Sequence, residues 1–332
     1  MDRWMCTLVA MVVVATAWRD AAPEARTSRV DLSGNAVCDA PVRPDAGQRE
    51  CLPRQRAIEG VDPATFDDAQ LLQRLTDEGG SLIETHRTVD ARILAKQLEI
   101  DTCELKLPEA ATAGSADNSA NSATASKSLA ETIQVAREGV VIVASIYKCP
   151  RCDKWHAAPA SGFVLTADGV IVTSYHVIAE QDKATYVVMT ASGHVYPVTK
   201  VLAGNEHHDL ALLKIEAENL RPLPLGKSPE IGDSIGVLSH PAGHFYSFSS
   251  GVVSRKTRVR VTSQPVDAIQ VTADFARGSS GAPVLNAQGQ VIGIVRSTES
   301  VYYHFEQGQQ RDLQMVFKVC IPASSLRRLT RS

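Results

Sequence analysis

The segment DFARGSSGAPVLN, residues 274–286, places Ser279 and Ser280 between glycines and then runs directly into an apolar stretch. Gly and Ser are common between strands, so a plain turn is one interpretation. The other is a nucleophilic serine on a tight loop whose backbone N–H groups turn towards one point. A serine hydroxyl is a poor nucleophile at neutral pH, so this second interpretation requires a general base and a carboxylate that orients the base.

His176 and Asp209 are the candidates for those two roles. His176 follows the strand–turn–strand pattern FVLTADGVIVTSYHV and falls where the second strand gives way to a loop. Asp209 opens DLALLKI, whose apolar residues on both faces predict a fully buried strand. A carboxylate at the mouth of such a strand is poorly solvated, and an imidazole N–H is a natural partner for it. The chain order His, Asp, Ser is typical of the chymotrypsin-like double barrel.

From Leu129 onwards, short β-rich runs alternate with turn signals, among them tight-hairpin turns at Asp168-Gly169 and Gln288-Gly289. About a dozen short strands in roughly 200 residues predict an all-β barrel or sandwich. In a chymotrypsin-like double β-barrel, one barrel would supply the histidine and the aspartate and the other the serine. We therefore predict a catalytic cleft between two barrels.

Five blocks of the chain resemble, in the same order, successive motifs of the HtrA/DegP-type trypsin-like serine proteases. They are GFVLTADGVIVTSYHVI, HDLALLKI, PLPLGKSPEIGDSIGVLSHPAG, SGVVS and GSSGAPVLNAQGQVIGI, within about residues 129–328. The resemblance implies that His176 is the base, Asp209 the orienting acid and Ser280 the nucleophile. It also implies an oxyanion hole formed by the backbone N–H groups of Gly278 and Ser280, since glycine permits the conformation that turns such donors inward.

The sequence departs from the family pattern at several positions. Tyr175 precedes the histidine, Ala282 replaces a common second glycine, and SHP (residues 239–241) replaces the usual GNP. Family members often carry PDZ domains after the protease domain, and here we expect none. None of these departures falls on a side chain of the predicted triad.

The resemblance implies a serine endopeptidase that cleaves unfolded or exposed polypeptides and requires no cofactor. The alternative is a catalytically silent protease fold that serves as a binding or scaffold protein. The net charge of −3 gives no basic face for nucleic acid, so we expect no such partner. Homo-oligomerisation is left open.

The N-terminus is expected to direct export. An apolar run from Met5 to Ala17 ends in the small-x-small pattern Ala15-Thr16-Ala17, which predicts a signal peptide over residues 1–17. The protein is then periplasmic or secreted. An uncleaved membrane anchor is the alternative, and only then would the chain meet a membrane.

The remainder divides into three predicted regions. Residues 18–107 form an N-terminal region with a helical hairpin, whose first helix ends at Gly79-Gly80 and whose second begins at SLIE (residues 81–84). Residues 108–128 are a low-complexity flexible linker. Residues 129–332 are the protease domain.

The cysteines leave alternatives open. Cys149-x2-Cys152 followed by His156 resembles half of a zinc knuckle, but no second CxxC is present and a local disulfide is the default interpretation in an exported protein. Zinc there would be structural and not catalytic. Cys38 and Cys51 are expected to form a disulfide.

Asp274 and Arg296 are candidates for a specificity pocket. Asp274 lies six residues before Ser280, where trypsin-like enzymes specific for Lys or Arg hold an acid, and Arg296 lies on a strand that should border the same pocket. Arg296 would then neutralise Asp274. The family implies a preference for small or medium aliphatic side chains instead.

Overall fold

The computed structural model describes residues 67–107, 128–306 and 309–331, which belong to one compact unit, Arg54–Ser332. The predicted signal peptide, the Cys38–Cys51 disulfide and all of the predicted linker except Ser128 lie outside the described residues. Within the described part of the chain, no helix is both long and apolar enough to cross a membrane.

The described chain consists of fourteen strands, four α-helices and two short 3₁₀ helices. The α-helices are α1 (Asp68–Glu84), α2 (Ala91–Gln97), α3 (Leu129–Arg137) and α4 (Tyr175–Ile178). The strands are β1 (Cys103–Glu104), β2 (Val140–Lys148), β3 (Trp155–Thr166), β4 (Val170–Thr173), β5 (Thr185–Met189), β6 (Val195–Asn205), β7 (Leu210–Ile215), β8 (Ser234–Ser239), β9 (Ser247–Arg260), β10 (Pro265–Val271), β11 (Pro283–Asn286), β12 (Val291–Glu306), β13 (Gln309–Pro322) and β14 (Thr330–Arg331). The 3₁₀ helices span Pro241–Gly243 and Ala323–Arg328.

Twelve of the strands close into two six-stranded barrels, in the orders β2-β3-β4-β7-β6-β5 and β10-β13-β12-β11-β8-β9. The predicted all-β double-barrel fold is therefore confirmed. Because each barrel is closed, neither has an open sheet edge. The backbone N–H and C=O groups of each strand are therefore hydrogen-bonded along its paired length. The two predicted hairpin turns also form, at Gly169 (φ +97°) between β3 and β4 and at Gly289 (φ +72°) between β11 and β12.

Four strands of the first barrel, β2, β4, β5 and β7, are largely buried on both faces. All but one of the six residues of β7, the DLALLKI strand, are buried, and the first seven residues of β2 are buried. One face fills the barrel, while the outer face is covered in part by α1, which packs on β2 and β3, and by α2, which packs on β6. The predicted fully buried strand after Asp209 is thus confirmed.

The predicted end of the first helix is wrong, because α1 runs through Gly79-Gly80 to Glu84. A Cβ atom at Gly79 would lie 2.8 Å from the side chain of Ile146, and one at Gly80 would lie 2.7 Å from that of Trp155. The two glycines therefore let the helix approach β2 and β3 closely. Their helix-breaking tendency of about 1 kcal/mol each is small beside the apolar contact that they permit.

The predicted helical hairpin is also corrected. SLIE forms the last turn of α1, and the second helix begins only at Ala91, where the Asp90 side chain accepts a hydrogen bond from the N–H of Arg92. Both helices pack mainly on the first barrel, and β1 pairs in parallel with β14 near the end of the chain. The capping box predicted at SLIE is found instead at the start of α3, between Ser128 and Glu131.

Candidate active site

His176 and Asp209 meet at one end of the first barrel. His176 lies on α4, the single turn that follows β4, and Asp209 directly precedes β7, the neighbour of β4 in the barrel. The Nδ1 atom of His176 lies 2.9 Å from both carboxylate oxygens of Asp209. The same carboxylate accepts a hydrogen bond from the backbone N–H of His176 at 3.1 Å. Asp209 therefore fixes both the ring and the turn that carries it.

Ser280 completes the cluster from the second barrel. Its Oγ lies 3.0 Å from Nε2 of His176. Because Nδ1 faces a carboxylate, the proton of a neutral ring belongs on Nδ1, and Nε2 is left to accept from the serine hydroxyl. The side chain of Asp209 is 6% exposed, whereas that of His176 is 52% exposed. The cluster thus has a buried acid at one end and a nucleophile open to the cleft at the other.

The Ser280 loop is held by backbone contacts to both barrels. Ser161 on β3 donates its N–H to the carbonyl of Ser280 at 3.0 Å, and Gly281 donates its N–H to the carbonyl of Val295 at 2.9 Å. Gly281 has φ +85°, and a Cβ atom there would lie 2.3 Å from the carbonyl oxygen of Ser161. Only glycine fits this position, so the close approach of the two barrels is built into the loop.

The peptide groups before Ser280 are also fixed. Gly278 has φ +94°, and its carbonyl accepts a hydrogen bond from the Ser161 hydroxyl at 2.8 Å. The carbonyl of Arg277 accepts the N–H of Ala242 at 2.6 Å. Within the described part of the chain, no group accepts from the N–H of Gly278 or of Ser280. These two donors are the ones predicted for the oxyanion hole.

The two adjacent serines are clearly distinguished by burial. Ser279 is fully buried, and its Oγ lies 3.0 Å from Oγ of Ser239 on β8. Ser279 therefore packs into the second barrel, while its neighbour faces the histidine. Only one of the two hydroxyls in GSSG is in reach of a general base.

His240, the histidine of the SHP segment (residues 239–241), also supports the loop that carries Gly278 and Ser280. Its backbone N–H donates to the Ser161 hydroxyl at 3.1 Å, so Ser161 links it to the carbonyl of Gly278. The buried ring accepts the N–H of Tyr246 on Nδ1 at 3.0 Å, and Nε2 lies 3.1 Å from the carbonyl of Val141. Burial lowers the pKa of His240 to about 3, so the ring is neutral.

Sequence reasoning did not identify Ser161 or His240 as parts of the site. The SHP motif was visible as a departure from the family pattern, and it was the available signal for His240. Ser161 gave no signal, because a serine within an apolar strand has no distinctive spacing.

The predicted neutralisation of Asp274 by Arg296 is wrong. Arg296 points at the candidate catalytic cluster of His176, Asp209 and Ser280: its Nε lies 3.7 Å from Oδ2 of Asp209, and its Nη1 donates to the Ser297 hydroxyl at 2.8 Å. Asp274 pairs with Lys318, with Oδ1 3.4 Å from Nζ, and its side chain is 91% exposed. β12, the strand that carries Arg296, passes closer to the Asp209 carboxylate than the sequence indicated. Lys318 on β13 supplies the positive charge opposite Asp274.

The cluster of Cys149, Cys152 and His156 lies on a different part of the first barrel, at the turn between β2 and β3. Cys149 and Cys152 are not joined by a disulfide in this structure, and Cys103 and Cys320 are also free thiols. His156 is separated from Ser161 by five residues of extended strand, which corresponds to about 17 Å. This group is therefore distinct from the catalytic cluster.

Comparisons with known proteins agree with this geometry. Residues 160–294 match the family model described as a trypsin-like peptidase domain. A probable periplasmic serine endoprotease, DegP-like, from Hahella chejuensis is 36% identical over 136 residues, which cover 40% of this chain and 28% of that protein. A protein of the same description from Chlamydia muridarum is 35% identical over 148 residues, covering 44% and 29% of the two chains.

Among solved structures, the serine endoprotease from Yersinia pestis matches with a TM-score of 0.46 and 23% identity, over 61% of this chain and 65% of that one. The HtrA-type protease AlgW with a tripeptide has a TM-score of 0.46 and 23% identity, over 60% of each chain. The chain spans less than a third of the length of the curated relatives named above. Residues 160–294 thus match a trypsin-like peptidase domain, and about two fifths of the chain is similar to serine endoproteases described as DegP-like.

Proposed function

We propose that this chain is an exported serine endopeptidase that cleaves exposed or unfolded polypeptides through an acyl-enzyme. The observation that carries the proposal is the continuous chain of contacts from Asp209 through His176 to Ser280, at 2.9 and 3.0 Å, which spans both barrels. A scaffold protein has no need of a serine hydroxyl held against an imidazole that is itself held by a buried carboxylate.

In the first half of the reaction, Oγ of Ser280 attacks the scissile carbonyl as Nε2 of His176 takes its proton. Asp209 holds the ring in the required tautomer and stabilises the imidazolium that forms. We expect the N–H groups of Gly278 and Ser280 to donate to the oxyanion, and such donors are each worth about 100- to 1000-fold in rate. His176 then gives the proton to the departing amine.

In the second half, His176 removes a proton from water, whose oxygen attacks the acyl ester. The bond to Oγ of Ser280 then breaks, and His176 returns the proton to that oxygen. Serine proteases of this family need no cofactor, and none enters either half. The structural zinc or disulfide expected at Cys149 and Cys152 would be remote from these steps.

The exported location rests on the predicted signal peptide and on relatives described as periplasmic endoproteases. The polypeptide substrate class rests on the resemblance and on the half-exposed imidazole, which leaves the cleft accessible. The P1 preference for small or medium aliphatic residues, and any association between copies of the chain, stay predictions.

A fluorophosphonate serine probe tests the assembled triad directly. We expect labelling of the wild type, loss of the label in Ser280→Ala, and retention of the label in Ser279→Ala, because the Ser279 hydroxyl is buried against Ser239. Hydrolysis of an unfolded protein substrate should follow the same pattern. A folded wild type that neither labels nor hydrolyses the substrate would support the alternative of a catalytically silent scaffold.

A further inference from the structure

The turn between β2 and β3 gathers three side chains that ligate metals. Sγ of Cys149, Sγ of Cys152 and a ring nitrogen of His156 all lie within 4.8 Å of one another. The closest pair is Sγ of Cys152 and Nε2 of His156, at 3.1 Å. All three residues are at least partly exposed, so an ion can reach them from solvent.

The backbone of this turn is fixed by its own hydrogen bonds. Cys149 donates its N–H to the carbonyl of Lys154, and Asp153 donates its N–H to the carbonyl of Cys149, both at 2.9 Å. Asp153 adopts φ +54°, a left-handed conformation that Asp tolerates better than most residues. The chain thereby reverses within the turn and brings both cysteines to the same side.

The imidazole is positioned by the strand that follows. His156 lies opposite Tyr147 in the β2–β3 ladder, and the two rings stack with their centroids 5.8 Å apart. This contact limits rotation of the ring and keeps Nε2 towards Cys152. A ligand side chain that is held before the metal arrives loses less entropy on binding.

The sulfur of Cys149 is oriented by the backbone of the turn. The N–H groups of Arg151 and Cys152 donate to it. The charge of Lys148 in the same turn is offset by Asp153, whose Oδ1 lies 2.9 Å from Nζ of Lys148. Cysteine binds metals as the thiolate, and these N–H donors hold the sulfur in place for that role.

We propose that Cys149, Cys152 and His156 bind one Zn²⁺ ion through two thiolates and Nε2, with water or an external ligand in the fourth position. Zn–S and Zn–N distances of about 2.3 and 2.0–2.1 Å in a tetrahedron place neighbouring donors about 3.5–3.8 Å apart, so adjustments of about 0.5 Å suffice for the closest pair. Binding to the reduced protein converts two thiols into thiolates and releases up to two protons.

The site would hold the end of the β2–β3 hairpin and, through it, α1. Trp155 lies between Cys152 and His156 in the chain, and its indole packs against Gly80 of α1. The indole N–H donates to Oε1 of Glu84 at 3.0 Å. A single metal ion, held by ligands before and after this tryptophan in the chain, would therefore stabilise the packing of the helix on the barrel, independently of the catalytic mechanism.

The test is metal binding by the full-length protein, purified with a reductant and stripped with a chelator. We expect one equivalent of Zn²⁺ to bind, and Co²⁺ to bind in its place with a thiolate-to-metal charge-transfer band and the visible spectrum of tetrahedral cobalt. Removing a residue that supports a metal ligand typically weakens metal affinity about 10- to 100-fold. Removing a ligand itself, in Cys152→Ser or His156→Gln, should therefore weaken metal affinity by at least about 100-fold.

Cys103→Ser is the matched control, because Cys103 is also a free thiol but lies outside the cluster, and it should bind like the wild type. A double Cys38→Ser, Cys51→Ser variant should likewise keep the cobalt spectrum. The proposal is overturned if the reduced wild type binds no Zn²⁺ or Co²⁺, or if the Cys152 and His156 variants bind as the wild type does. It is equally overturned if Cys149 and Cys152 resist reduction as a disulfide.

Discussion

The catalytic cluster and the cysteine cluster each bring three reactive side chains together, but they are assembled in different ways. His176, Asp209 and Ser280 come from α4, the residue before β7 and the loop before β11, and they meet only where the two barrels pack. The cysteine cluster comes from residues 149–156 of one hairpin turn. A local cluster depends on one turn, whereas the catalytic cluster depends on the whole fold.

The supporting contacts differ in the same way. Catalytic geometry is fixed by barrel-to-barrel contacts such as those of Ser161 with Ser280 and Gly278, together with a buried carboxylate. The cysteine turn is held by two hydrogen bonds of its own backbone. Substitutions in the catalytic cluster should therefore change turnover and leave metal binding intact, and the reverse should hold for the turn.

The largest expected effect is that of Asp209→Asn. The amide nitrogen of Asn cannot accept a hydrogen bond from Nδ1 of His176. The imidazole is then no longer held in the required tautomer, and its charged form is no longer stabilised. We therefore expect kcat to fall about 10⁴-fold. Steady-state kinetics on an unfolded protein substrate measures the loss. Co²⁺ binding at the cysteine turn should be unchanged in the same preparation, and a fall in kcat of less than tenfold would contradict the role assigned to Asp209.

Gly278→Ala should have the next largest effect, a loss of about 100- to 1000-fold in kcat. A Cβ atom there would lie 2.4 Å from the carbonyl oxygen of His240, at a φ of +94° that disfavours any side chain, so the peptide must move. Gly232→Ala is the matched control. Its φ is +96° but nothing lies within 4 Å of the new Cβ, so it should cost some stability and leave kcat within about twofold.

The smallest effect concerns the stability of the oxyanion loop at acid pH. The pKa of His240 in the folded protein is about 3, below the usual histidine value of 6.5, so the unfolded chain binds more protons between these values. The free energy of unfolding should therefore fall as the pH drops from about 6.5 towards 3. Protonation of Nδ1 would also break its hydrogen bond with the N–H of Tyr246.

Denaturant unfolding at several pH values in the presence of a chelator measures this dependence without interference from bound metal. His240→Asn should flatten the curve over that range, while His304→Asn, at an exposed position, should not. His208, whose pKa burial lowers to about 4, will leave a residual slope in both variants. An unchanged slope in His240→Asn would show that this ring does not titrate on unfolding.

Local patterns predicted much of the fold and the members of the candidate site. Alternating turn signals and apolar runs predicted an all-β barrel or sandwich, because strand and turn preferences act over a few residues. The two barrels were predicted from the chain order His, Asp, Ser and from the family resemblance. The helix end at Gly79-Gly80 was mispredicted, because a local helix-breaking tendency gave way to packing against Ile146 and Trp155. The partner of Arg296 was mispredicted for a similar reason, because it depends on where β12 of the second barrel passes the first barrel.

By itself, the sequence determined the residue types of the chemistry: a serine between glycines, a histidine after a strand, an aspartate before a buried strand, and a compact cysteine–histidine motif. The tertiary structure alone decided that Ser279 packs against Ser239, that Ser161 and His240 support the oxyanion loop, and that Arg296 lies beside Asp209. The physical reason is the distance along the chain over which each kind of interaction acts. Backbone preferences act between near neighbours, whereas burial and hydrogen bonding between distant residues are settled only when the two barrels close and pack.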